Sequence, residues 1–145
     1  MTKKKSRASI ARNNKRKGSV AERKYRNRFK EETRFDKVRT TRQASRILDD
    51  CGIDLAFLPL NVQIKRGKQR GLNASKEIDY IAERMKEILP PDYPNQNYPT
   101  IVIHDKECKP GEKHKPSDEL VSMTFNDFLK FFKPYADNLY NTTES

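Results

Sequence analysis

The run Gly52-Ile53-Asp54-Leu55-Ala56-Phe57-Leu58-Pro59-Leu60-Asn61-Val62-Gln63-Ile64-Lys65 decides how this chain is read. Two apolar, β-prone segments flank a Pro/Asn turn, which is the pattern of an antiparallel hairpin. Side chains alternate along a strand, so Gln63 and Lys65 share one face while Val62 and Ile64 share the other. With the loop over 58–61, Phe57 pairs with Val62 and Asp54 falls opposite Lys65. That register stacks Leu55, Phe57, Val62 and Ile64 toward a core. Asp54, Gln63 and Lys65 then gather on the opposite face. An acid, an amide oxygen and an ammonium at one sheet edge are the groups that metal-assisted attack on a phosphodiester needs.

Charge points to the same substrate. The chain of 145 residues holds 31 Lys+Arg against 20 Asp+Glu, a net charge of +11. Residues 1–19 contain Lys3, Lys4, Lys5, Arg7, Arg12, Lys15, Arg16 and Lys17 and no acid, so +8 of that total sits in the first segment. A near-neutral body with a basic arm is the electrostatic footprint of a nucleic-acid binder. A solubility tail or a ribosome-adhesive segment is the plainer alternative. The length suits one domain with a modest core, here 18–145, preceded by a flexible basic arm over 1–17. No apolar run approaches the roughly 20 residues that span a bilayer, and the first 19 residues lack the apolar centre of a signal peptide. No membrane partner is expected. Cys51 and Cys108 form no C-x-x-C, which favours a reduced, intracellular, DNA-associated setting and leaves a phage or viral origin open.

Outward from the hairpin, disorder is expected to end near Gly18-Ser19, with Ser19 capping a helix to about Glu32. Tyr25 and Phe29 form its apolar stripe, and Glu22 falls on that same stripe. Ser19-x-x-Glu22 is also a capping box, so Glu22 has a structural reading beside a functional one. A strand over 36–40 and a polar connection over 41–50 lead into the hairpin, and a basic, Gly-punctuated loop over 66–73 leaves it. Ser75 is expected to cap a periodic helix with Ile78, Ile81, Ala82, Met85, Ile88 and Leu89 on one face, stopped by Pro90-Pro91. After a Pro/Asn/Tyr connector come strands over 100–104 and 119–123. A last helix capped by Thr124 places Phe125, Phe128, Leu129 and Phe132 on one face, read as core. The order is that of an α/β protein with a mixed sheet flanked by helices.

This α-β-β-β-α-β order, with the helix-one Glu22, the hairpin Asp54 and the strand Gln63-Ile64-Lys65, resembles the PD-(D/E)XK nuclease superfamily, the restriction-endonuclease-like fold. Within it, Lys17-Gly18-Ser19-Val20-Ala21-Glu22-Arg23 is similar to the opening of the archaeal-type Holliday junction resolvases, and Val38-Arg39-Thr40 resembles their first strand. The likeness covers roughly 17–90. Ile53 stands where that family usually has Pro, and Gln63 where it usually has Glu. Transposon-encoded nuclease subunits of the superfamily carry Gln in that slot and remain active. The resolvases' Ser-Gly after the first strand has no clean equivalent; Ser45 lies late and lacks its Gly.

The resemblance implies a Mg²⁺-dependent endodeoxyribonuclease, with Mn²⁺ able to substitute. Glu22, Asp54, Gln63 and Lys65 would be its catalytic residues. Asp54 would be the central metal carboxylate, Gln63 would offer its amide oxygen, and Glu22 would act directly or through water, in keeping with Mg²⁺'s preference for hard oxygen ligands. Lys65 would stabilise charge on the phosphoryl oxygens; its plainer role is an edge-strand charge that blocks aggregation. Lys15, Arg16, Lys17, Arg39, Arg42, Arg46, Lys68 and Arg70 would contact the DNA backbone. Resolvase action on branched DNA implies a homodimer and a role in recombination or repair. The alternatives are a restriction- or transposon-type subunit working with partners, and a non-catalytic DNA-binding protein on the same scaffold. His104, Cys108 and His114, with Asp105 and Glu107, have no recognised zinc-module spacing.

Overall fold

The computed structural model describes residues 6–67 and 73–143, with the side chains of 10–17 and 143 outside that description. Its first helix, α1, runs Arg7–Glu32 and is capped by Ser6, whose Oγ accepts from Ser9 N at 3.1 Å. Ser19 is therefore an interior residue, and the expected capping box with Glu22 does not exist. The expected flexible arm is corrected too, because the backbone of 7–17 is helical. The Ala, Arg and Lys of that stretch are good helix formers, and extending a nucleated helix avoids the cost of a new nucleus.

The strand expected over 36–40 shrinks to β1, Arg39–Thr40. The polar connection contains two short helices, α2 Thr41–Ala44 and α3 Arg46–Asp50, with Ser45 between them accepting from Leu48 N at 3.4 Å. Strand β2, Leu55–Ala56, pairs antiparallel with β1. Strand β3, Asn61–Gly67, lies parallel to β4, Thr100–Lys106, which pairs antiparallel with β5, Glu119–Ser122. The larger sheet thus has the order β3-β4-β5 and is mixed. The connection between parallel β3 and β4 contains helix α4, Ala74–Ile88, as parallel pairing requires a crossover. Asn73 rather than Ser75 caps α4, accepting from Lys76 N at 3.2 Å.

The expected antiparallel hairpin does not form as a ladder: β2 pairs with β1 and β3 with β4, in a two-stranded and a three-stranded sheet. Asp54 N donates to Val62 O at 2.7 Å, so Asp54 lies beside 62–64 and not opposite Lys65. Phe57 takes φ +65 and is 59% exposed, so it leaves the strand instead of pairing with Val62. At this left-handed kink the chain leaves β2, which shares no ladder with β3. Leu55, Val62 and Ile64 still share a core, joined by Ala21 and Tyr25 of α1 and by Ile101 and Ile103 of β4. A second cluster gathers Leu48, Cys51, Ile53 and Ala56 against Ile81, Met85 and Leu89.

The third helix face departs most from the sequence pattern. Helix α5, Phe125–Thr143, begins with Thr124 Oγ1 accepting from Asp127 N at 3.1 Å, as expected. Its aromatic face is not core: Phe125 is 71%, Phe128 43% and Phe132 44% exposed. The apolar side chains of β3 and β4 already pack against α1, and α4 packs along β4. No helix among the described residues is long and apolar enough to cross a membrane.

Two buried polar networks fix these layers. Tyr25 OH lies 2.6 Å from Glu119 Oε2 and 3.0 Å from Asp105 Oδ1, and Lys24 Nζ reaches Asp105 at 2.9 Å, tying α1 to β4 and β5. Asn61, fully buried, donates to Asn95 O at 3.0 Å and accepts from Asn95 Nδ2 at 2.7 Å. This exchange docks the Pro-rich connector against the start of β3. Asn61→Leu strands both Asn95 groups, and burial without a partner costs about 1–3 kcal/mol per group. The urea midpoint should fall accordingly with the slope unchanged; an unaltered midpoint would show that the network contributes nothing.

Candidate active site

The strand alternation of β3 sends Val62 and Ile64 into the core and leaves Gln63 and Lys65 on the opposite face. That face opens onto a cleft of about 640 Å³ at the edge of the sheet. Its walls are Gly18 and Glu22 from α1, Arg42 from α2, Gly52 and Asp54 from the approach to β2, 63–66 from β3, and Lys76, Glu77 and Tyr80 from α4. All four residues expected to be catalytic, Glu22, Asp54, Gln63 and Lys65, line this one cleft.

Glu22 reaches it because Ala21 and Tyr25, its neighbours on the helix, are buried against β3. Its carboxylate is nearly buried and takes Arg42 as a partner, Oε1 lying 3.1 Å from one terminal nitrogen and 3.2 Å from Nε. Burial pushes the Glu22 carboxyl up, while Arg42 pulls it back down. Asp54 is held on both sides: its amide donates to Val62 O, and its Oδ2 accepts from Ile64 N at 2.7 Å. Burial drives its pKa from 3.8 up to about 7, with the Ile64 amide opposing and the Glu22 charge adding to the rise.

Gln63 is 5% exposed and donates through Nε2 to Gly52 O at 3.3 Å. Its Oε1 is buried and has no hydrogen-bond partner among the described residues. Buried acceptors are nearly always paired, so a lone amide oxygen beside two carboxylates fits a hard cation better than it fits packing. Gly52 makes room for this amide. At φ +82 it adopts a backbone that side chains disfavour, and a Cβ there would stand 3.4 Å from Gln63 Nε2 and 3.2 Å from Tyr80.

Lys65 Nζ lies 3.9 Å from Glu77 Oε2. Glu77 was not singled out from the sequence. Its signal was its place in the first turn of α4, directly after the loop that leaves β3. With it the cleft holds three carboxylates, which restores the acid that Gln63 lacks.

The residues expected to contact DNA divide. Arg42 is an ion-pair partner inside the cleft. Arg46 is exposed, and Arg39 lines a separate groove with Arg26, Lys30 and Lys37. Lys68 and Arg70 lie outside the described residues, as do the side chains of Lys15, Arg16 and Lys17. Comparison with protein-family models, curated proteins and solved structures finds no match to this chain.

The raised Asp54 pKa has a definite sign. Between pH 3.8 and about 7 the unfolded chain has lost the Asp54 proton while the folded one retains it, so this group's contribution to stability falls as pH rises. The slope is at most about 1.4 kcal/mol per pH unit. Without metal, Asp54→Asn, which keeps the acceptor for Ile64 N, should melt higher than the parent above pH 7 and alike near pH 4. Mg²⁺ must compete with the same proton, so it should raise the parent's Tm at about pH 8.5 and lose that effect near pH 5.5. A Mg²⁺ shift that is independent of pH, or kept by Asp54→Asn, would remove Asp54 from the site.

Proposed function

We propose that this chain is a Mg²⁺-dependent endodeoxyribonuclease with the restriction-endonuclease-like core, selective for branched DNA in the manner of a junction resolvase. The observation that carries this reading is the unpaired Gln63 Oε1 in a cleft that also holds Asp54, Glu22 and Lys65. Asp54, Gln63 and, directly or through water, Glu22 would hold the ion. Once bound it would supply Lewis acidity and an activated water, and Mn²⁺ offers the same oxygen-seeking chemistry.

The protein's own part is positioning. Lys65 carries its ammonium to the side of the cleft where phosphoryl oxygens gain charge, and Glu77 restrains it from the opposite wall. Arg42 offsets the charge of Glu22 and opposes the rise that burial imposes on its pKa. The basic α1 N-terminus and the exposed Arg39 and Arg46 would contact the DNA backbone, which positions a duplex without reading its sequence. Gln63 in place of an acid favours a second reading, a non-catalytic DNA-binding protein on the same scaffold.

Purified protein with Mg²⁺, tested on duplex, single-stranded, flap and four-way DNA in parallel, separates the two. Four-way DNA should be cut best. Asp54→Asn and Lys65→Ala should each lower cleavage by at least ~10²-fold, the scale for loss of one charge-stabilising group, with DNA binding kept. Cleavage unchanged in either variant would place the chemistry elsewhere, and no cleavage of any form by the parent would favour the binding protein.

Cutting a junction symmetrically takes two active sites on a two-fold axis, and α5 offers the surface. Phe125, Phe128, Phe132 and Tyr135 follow a 3-4-3 spacing, the seam of paired helices. The residues flanking that seam, Leu129, Phe131, Ala136 and Asn138, carry no charge, so two copies of this strongly basic chain meet without like-charge repulsion. The occupant is thus a second copy. Phe128→Glu combined with Phe132→Glu should convert a dimer to a monomer in light scattering with helix content retained. A double variant that stays dimeric would move the interface off α5.

A further inference from the structure

The segment between β4 and β5 runs through 107–118 and ends in a single 3-10 turn, Pro116–Asp118. This connection is longer than most between neighbouring elements. Here the loop turns back on itself so that Cys108, His114 and Asp118 each bring a ligand-type atom within 4.8 Å of the others. The grouping is not the one that adjacency in sequence suggested. His104 instead bonds Ser122 Oγ at 2.9 Å, and Asp105 is engaged by Lys24.

The chemistry of the three donors is selective. A thiol, an imidazole and a carboxylate form a donor set suited to zinc, whereas Mg²⁺ avoids sulfur and nitrogen. The geometry agrees. Zinc holds sulfur at about 2.3 Å and oxygen at about 2.0–2.2 Å, so a tetrahedral edge between them is roughly 3.5 Å long. Cys108 Sγ donates a hydrogen bond to Asp118 Oδ2 at 3.6 Å, a spacing that zinc could take over as it displaces the thiol proton. Asp118 is 2% exposed, and its Oδ2 accepts from Lys115 N at 2.7 Å, the kind of outer hydrogen bond that orients a ligating carboxylate. Lys106 Nζ lies 3.9 Å from Asp118 Oδ1, but it is also anchored by Glu112 at 2.8 Å. A divalent ion with one thiolate and one carboxylate is neutral overall, so the neighbouring ammonium does not repel it. His114, exposed on the loop, is free to swing the remaining distance.

We propose that Cys108, His114 and Asp118 form a zinc site that clamps the loop onto the start of β5, with water completing the tetrahedron. Binding exchanges the Cys108 thiol proton to solvent and involves no redox change. This site is separate from the cleft of Asp54 and does not depend on the activity assigned to that cleft.

The test uses the full-length, metal-stripped protein titrated with Co²⁺ and Zn²⁺. One equivalent of Co²⁺ should give the visible bands of a tetrahedral ion and a near-ultraviolet sulfur-to-metal band, and both should vanish on adding Zn²⁺. Cys108→Ser should abolish the sulfur band. His114→Ala, an exposed change with little risk to folding, should weaken Zn²⁺ binding by at least about 100-fold, since even outer-shell losses cost 10–100-fold. Asp54→Asn should bind as the parent does. A thiol reagent offers a second readout: Cys51 is fully buried, so labelling of the native protein reports Cys108 and should slow at least tenfold with Zn²⁺. The proposal fails if Co²⁺ shows no sulfur band, if His114→Ala leaves affinity unchanged, or if Asp54→Asn removes the bound ion.

Discussion

Asp54 joins three parts of the fold through bonds made by a single residue. Its amide donates to Val62 O at 2.7 Å, its carbonyl accepts from Thr41 N at 2.9 Å, and its carboxylate accepts from Ile64 N at 2.7 Å. The first and third bonds fix the approach to β2 against β3, so Leu55 meets Val62 and Ile64 in one core cluster. The second starts α2 at Thr41, reinforced by Thr41 Oγ1 donating to Ile53 O at 2.6 Å. Starting the helix there places Arg42 one residue on, where it meets Glu22 on α1. The cleft is therefore a by-product of the same bonds that close the core. A change at Asp54 that kept its acceptor oxygen would preserve all three bonds; one that lost it would release the Ile64 amide while the two backbone bonds remain.

The cleft is also where the molecule tolerates electrostatic strain. Burying carboxylates raises their pKa, and both Glu22 and Asp54 are raised mainly by burial. Arg42 and Lys65 offset only part of that cost. A cation bound as proposed would oppose it further. Gln63 fits the same logic, since its amide contributes an oxygen without another buried negative charge. Glu77 sits at the wall of the cleft, within reach of Lys65 and less buried than Glu22.

Much of this site was legible in the sequence, and the reason is periodicity. In β3 a period of two separates Gln63 and Lys65 from Val62 and Ile64 whatever the partner strand, so the face assignment survives an error in register. The absence of a hairpin ladder was not legible, because the chain leaves β2 at Phe57 through a left-handed backbone that its residue type does not favour. Helices α2 and α3 are too short to show a period at all. For α1, Ser19 with Glu22 three residues on carries the stronger capping signal in sequence, yet the helix runs through it and starts from Ser6. The α5 aromatic stripe was read correctly as a face, but amphipathicity says that a face wants cover, not that the same chain supplies it. The mixed α/β class follows from the sequence; its particular superfamily remains the resemblance described above.

The distribution of donor atoms extends the argument to metals. Both histidines, His104 and His114, and the accessible thiol of Cys108 lie outside the residues lining the cleft, whereas Glu22, Asp54, Gln63 and Glu77 offer it only oxygen. Cys51, the other thiol, packs among Ile53, Ile81 and Met85. Zinc outcompetes harder ions where nitrogen or sulfur donors are present, so the proposed hard-ion cleft is best protected by having no soft donor within reach. The Cys108, His114 and Asp118 group concentrates those donors on the far side of β4, in a loop stapled by Asp118 and Lys115. Placing one imidazole in the cleft would blur this separation by giving zinc a firmer hold there. At the two proposed sites, hard and soft donors stand on separate elements, an arrangement that would keep each metal from loading at the other's site.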